Sequence, residues 1–127
     1  MLGDAYGRAG RLEEAVSAGE RALDLARQLG QRGDEAHTSY LLGKIYGYGA
    51  APNVDQARDC YQPASVLAHK LGMRPLEAHR HLALAELASK TGHGQEAQAR
   101  LVNAVTMFRE MGMRYWRERA EAALRTV

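Results

Sequence analysis

The sequence predicts an all-α solenoid, helical hairpins stacked in series, on three observations. Ala, Leu, Glu, Gln and Arg abound, β-branched residues are sparse, and only three prolines occur in 127 residues, a bias toward helix and away from sheet. Apolar residues recur at three- and four-residue steps over most of the chain. The whole pattern returns every 40–42 residues, which marks a repeat array. With 46% hydrophobic and 25% charged residues the chain has the balance of an ordinary globular domain, so residues 1–127 read as one array.

Three segments superimpose. Leu2-Gly3-Asp4-Ala5-Tyr6 is followed by Gly10, Glu14-Ala15 and Ala22-Leu23. Leu42-Gly43-Lys44-Ile45-Tyr46 is followed by Gln56-Ala57, Tyr61 and Ala64. Leu84-Ala85-Glu86-Leu87-Ala88 is followed by Gly92, Glu96-Ala97, Leu101 and Ala104. Gly3 to Ala15 and Ala85 to Ala97 are both twelve residues, whereas Gly43 to Ala57 is fourteen, so the middle copy has a longer turn. The junctions Leu29-Gly30, Leu71-Gly72 and Met111-Gly112 lie forty-two and forty residues apart. Repeats therefore run over about 1–30, 31–72 and 73–112, with a capping helix over 114–126.

Taken in order, the first element is a truncated helix over Met1–Ala9, closed by Gly10. Leu12, Val16, Leu23 and Leu29 then share one face of a second helix. Partner helices follow near Asp34–Tyr48 and Leu76–Thr91, each paired with an amphipathic helix, one carrying Val54, Ala57, Tyr61 and Ala64 and the other Ala97, Leu101, Ala104 and Phe108. A seventh helix covers Tyr115–Thr126. Gly30, Gly92 and Gly112 sit where a helix ends in a left-handed residue, Pro75 sits in a first turn, and Asn53 with Gln56 forms a capping box. Gly3, Gly43, Ala85, Ala15, Ala57 and Ala97 are the small residues that let two helices cross near the short end of the usual separation of about 8–10 Å. Tyr6, Tyr46, Tyr61 and Phe108 are then the large residues that fill gaps between successive pairs.

Gly-x-x-Tyr, then Gly, then Ala, then an aromatic and Ala at these offsets resembles the tetratricopeptide repeat, in its long-period form. The likeness implies a right-handed solenoid of three hairpins, the first truncated, plus the capping helix. The segment Phe108–Trp116 with Ala122-Ala123-Leu124 is similar to the C-terminal tails of bacterial proteins in which such arrays follow a cyclase or ATPase domain or belong to a signalling regulator. On that likeness the chain is the end of a longer bacterial protein. The family lines a concave groove with the leading helix of each pair. Carried over, the groove positions are Asp4 and Arg8; His37, Tyr40, Lys44 and Tyr48; and His79, Leu82, Glu86 and Lys90. The last two sets each share one helical face. The expected function is non-enzymatic: a protein or peptide segment bound in that groove. A regulatory or ligand-sensing role, or self-association of two copies through the truncated first hairpin, is the alternative.

Other chemistry is weakly signalled. His79 and His81 point roughly 200° apart on a helix, and no Asp, Glu or Cys completes a ligand pattern, so no metal or cofactor is expected. Cys60 has no base beside it, excludes an internal disulfide as the single cysteine, and suits a reducing cytoplasm. Gly47–Pro52 is glycine-rich but lacks the Lys-Ser/Thr of a phosphate loop. Arg109, Arg114, Arg117, Arg119 and Arg125 flank Tyr115 and Trp116, yet Glu110, Glu118 and Glu121 dilute them, and the net charge is only +2, so nucleic acid is not expected. Trp116 is instead a packing residue for the last hairpin. No apolar run approaches the roughly 18 residues of a membrane span, and the opening residues carry no signal pattern.

Overall fold

The computed structural model describes residues 2–49 and 51–127, with side chains from residue 10 onward. Among the described residues there are six helices and no strand: α1 (Leu2–Gln28), α2 (Arg32–Tyr46), α3 (Val54–Leu71), α4 (Arg74–Lys90), α5 (Gly94–Glu110) and α6 (Arg114–Arg125). The protein is all-α. Two compact units meet within α3, one ending at Leu67 and the other starting at Ala68.

Four helices end in the same way. At the end of α1 the Gln31 N–H donates to the Ala26 carbonyl at 2.9 Å and the Gly30 N–H to the Arg27 carbonyl at 3.2 Å, with φ 67° at Gly30. This paired closure satisfies carbonyls that a helix end otherwise leaves open, and its left-handed φ strains any residue that carries a Cβ. The same two bonds recur at Gly72, Gly92 and Gly112. Helix α2 ends differently, in the longer turn over 47–53, where the Asn53 N–H returns to the Tyr46 carbonyl at 2.8 Å. Asn53 Oδ1 then accepts the Gln56 N–H at 3.2 Å, which is the expected cap of α3. Pro75 lies in the first turn of α4, as its missing donor requires.

The separate helix expected over Met1–Ala9 is not formed. Helix α1 runs unbroken from Leu2 to Gln28, and Gly10 lies inside it without a positive φ. A lone glycine costs a helix roughly 1 kcal/mol relative to Ala, too little to stop propagation when Arg11, Leu12, Glu13 and Glu14 follow and no proline does. The described structure therefore contains no truncated first hairpin whose edge a second copy would cover. Gly3, Asp4, Tyr6 and Arg8 fall on the stretch of α1 whose side chains lie outside those described.

In the first unit, α1 lies against α2 and α2 against α3. Both contacts depend on missing side chains. A Cβ on Gly19 of α1 would sit 2.6 Å from Leu42 Cδ2, and one on Gly43 of α2 would sit 2.5 Å from Tyr61 Cε1. Tyr61 thus fills the space over Gly43 inside the α2–α3 pair, and not a gap between successive pairs as its place in the repeat suggests. Its ring also meets Tyr40, centroids 6.0 Å apart. Ser39 is buried, and its hydroxyl donates to the Cys60 carbonyl at 2.6 Å. Pro63, inside α3, deprives that helix of one backbone donor, the one that would reach the Asp59 carbonyl.

In the second unit α4, α5 and α6 share one core of Ala78, Leu82 and Ala85 with Leu101, Val105 and Phe108. Met107, Met111 and Met113 fill its edge, and Trp116 closes it. Helix α4 is buried around most of its circumference, since the consecutive residues Leu82, Ala83, Leu84 and Ala85 are all buried.

Gly10→Ala should raise the stability measured by urea unfolding by about 0.5–1 kcal/mol, because the helical site leaves open space for a methyl. Gly30→Ala should lower it by about 1–2 kcal/mol through its left-handed φ. Equal losses in both would mean that Gly10 ends a helix. Gly43→Ala should cost about 1–3 kcal/mol by displacing Tyr61, and Tyr61→Leu in the same chain should make the double variant less unstable than the sum of the two singles.

Candidate interaction surfaces

The groove residues expected on α2 do not stay together. His37 and Lys44 are exposed, with Lys44 Nζ 5.9 Å from the Tyr40 ring centroid. Tyr40 itself is 8% exposed and packed on Tyr61, so its ring serves the interior and offers little to an incoming chain. Tyr48 is 61% exposed but lies beyond the end of α2, because the helix stops at Tyr46. It faces a different neighbourhood, the open cleft between α1 and the end of α2.

On α4, His79 is half-buried and edge-on to Trp116, centroids 4.5 Å apart, and to Phe108 at 5.2 Å. Leu82 is 8% exposed and belongs to the α4–α5–α6 core. Glu86 and Lys90 are exposed. They edge a cleft of about 250 Å³ with Ser89, whose apolar wall is Ala85, Leu101 and Ala123. Of the expected set, then, His37, Lys44, Tyr48, Glu86 and Lys90 present themselves to solvent, whereas Tyr40 and Leu82 pack inward.

A larger cleft of about 420 Å³ was not foreseen. Its walls are Leu12 and Val16 of α1, Ile45 and Tyr46 of α2, and Tyr48 and Ala51 of the following turn. Glu13 and Glu20 stand on its rim, and the Tyr46 hydroxyl donates to Glu20 Oε1 at 3.2 Å. Burial first, and then Glu20, push the Tyr46 hydroxyl above its ordinary value, so it remains a protonated donor. The signal for this cleft was present in the spacing: positions 12, 13, 16, 17 and 20 share a helical face, and two of them are glutamates. What hid it was Tyr48, assigned to a helix that ends before it.

A polar cluster also escaped the sequence reading. Glu77 and Arg80 pair at 3.2 Å within α4, and Arg100 of α5 approaches His81 Nδ1 at 3.3 Å. Burial, with the charges of Arg80 and Arg100 adding to it, pulls the His81 imidazolium pKa down to about 4. His79 and His81 point to different neighbours, Trp116 and Arg100, as their spacing requires. Among the described residues no three His, Cys, Asp or Glu side chains are grouped as metal ligands. Cys60 is half-buried, and burial followed by the nearby Asp59 and Glu20 charges raises its thiol pKa, which favours the unreactive protonated form. On α6 the charges pair locally, Arg114 with Glu118 at 3.0 Å and Arg117 with Glu121 at 3.1 Å. Arg119 lies over Trp116, 5.5 Å from its centroid. Among the described residues no helix is long and apolar enough to cross a membrane.

Comparison of the chain with protein-family models, curated proteins and solved structures finds no match.

The lowered His81 pKa fixes a pH dependence. The folded state refuses a proton that the unfolded chain takes up near pH 6.5, so stability falls as pH drops from 6.5 and the loss is complete near pH 4. With the partial exposure of the ring discounted, the loss should be on the order of 1–2 kcal/mol. Urea unfolding of the wild type and His81→Gln at pH 7.5 and 4 checks it: the difference between them should change by that amount, and an unchanged difference would remove His81 as its source.

Proposed function

We propose that this chain is a tetratricopeptide-type interaction module, without catalytic activity, that recognises a segment of a partner protein. The observation that carries the reading is the pair of open clefts, one in each unit, each with an apolar floor and charged side chains at its edge. Such surfaces accept apolar side chains of a second chain and set its register by polar contacts. The repeated Leu-Gly or Met-Gly junctions, all closed by the same bonds, support the repeat on which the resemblance rests. Repeat arrays present extended surfaces of this kind. A bacterial, cytoplasmic setting, within a longer signalling protein, goes with the same resemblance.

The exposed groove residues His37, Lys44, Glu86 and Lys90 test the reading. Peptides selected from a displayed library against the wild-type chain should bind the quadruple alanine variant at least tenfold more weakly by calorimetry, a loss of about 1.4 kcal/mol or more. Circular dichroism should show unchanged helicity. Undiminished binding would remove the exposed faces of α2 and α4 as the recognition surface.

A further inference from the structure

We propose that the cleft between α1 and the end of α2 receives a basic side chain, Arg or Lys, next to an apolar residue of the partner segment. The inference rests on the interaction reading above and names the chemistry of the partner.

The argument is one of charge and shape. The whole chain carries a net charge of +2, yet among the described residues the cleft lining holds two carboxylates, Glu13 and Glu20, and no cation. Arg21, one turn beyond Ser17, donates to the Ser17 hydroxyl at 3.0 Å and is outside the lining. Glu13 and Glu20 are two helical turns apart on α1, roughly 10 Å along its axis, with Val16 between them. A basic side chain combines an apolar stem with a charged head, so its stem matches Val16 and Ile45 while its head reaches a carboxylate. Glu20 is held ready for that contact. Its Oε1 accepts the Tyr46 hydroxyl, and among the described residues Oε2 has no hydrogen-bond partner. Tyr46 and Tyr48 add ring surface, and a cation is attracted to the face of such rings. An acidic segment meets like charge at both carboxylates and is repelled, which gives the cleft its selectivity.

Three blocked peptides, Ala-Leu-Arg-Leu-Ala, Ala-Leu-Glu-Leu-Ala and the same sequence with citrulline in the centre, test the proposal by amide chemical-shift titration of the full chain. The arginine peptide should saturate shifts at Ser17, Tyr46 and Tyr48, and the other two should bind at least about tenfold more weakly, as loss of a charged hydrogen bond implies. Glu20→Gln, which keeps an acceptor for Tyr46, should weaken the arginine peptide by a similar factor and leave helicity unchanged. Half-molar salt should weaken it further. Equal binding of all three peptides, or no effect of Glu20→Gln, overturns the proposal. So does a wild-type dimer that Val16→Glu dissociates, since a second copy then fills the cleft. If the arginine peptide shifts nothing here while library peptides still depend on His37, Lys44, Glu86 and Lys90, the basic-segment proposal falls alone. If no peptide binds anywhere, the interaction reading falls with it.

Discussion

The seat that Gly43 leaves for the Tyr61 ring governs the first unit. With any side chain at that position, the ring would meet a carbon about an ångström inside ordinary contact, and α3 would have to move away from α2. The same relation holds one interface earlier, where Gly19 of α1 receives the Leu42 side chain from α2. Helix α2 is therefore located from both sides by knobs entering empty positions, its own Leu42 on one side and Tyr61 on the other. Its buried hydroxyl, Ser39, is consistent with that placement, because it finds a carbonyl of α3 at hydrogen-bonding distance. A polar group in such a tight interface is tolerated only where its partner is held in place.

The second unit achieves the same closeness with alanine and an aromatic cap. Ala78 and Ala85 bring α4 close to α5, and Phe108 occupies the volume that their methyls leave. Trp116 then covers Phe108 and His79 from α6, and Arg119 covers Trp116. The indole and guanidinium near the end of the chain are thereby engaged in packing. The Trp116 indole, expected from the sequence to pack on the last hairpin, is a lid over that core.

Exposure divides the surface residues by what their helices already need. Tyr40 and Leu82 lie on the same helical faces as Lys44 and Glu86, yet they are buried, because apolar side chains at a helix crossing gain more from contact with Tyr61 or Leu101 than from water. The charged members stay outside. Open apolar surface remains in the cleft beside α1 and α2, where partly buried Leu12, Val16 and Ile45 meet solvent next to carboxylates.

Helix periodicity, the small residues and the glycine junctions were legible in the sequence because each acts locally. A left-handed turn needs Gly wherever it occurs, and an apolar stripe has a period set by the helix itself. The closures expected at Gly30, Gly92 and Gly112 and the Asn53 cap follow from those rules, and Gly72, legible as a repeat junction, closes α3 in the same way. Gly10 was misread by the same logic, since a glycine ends a helix only if the residues after it turn away, and here they continue. The second wall that turns the acidic face of α1 into a cleft, the inward rotation of Tyr40 and the position of Tyr48 were settled by tertiary structure alone. Each depends on which side chain of a neighbouring helix comes to lie opposite, and on where α2 stops. A single helix carries no record of its neighbour's register, so those facts exist only once α1, α2 and α3 are packed together.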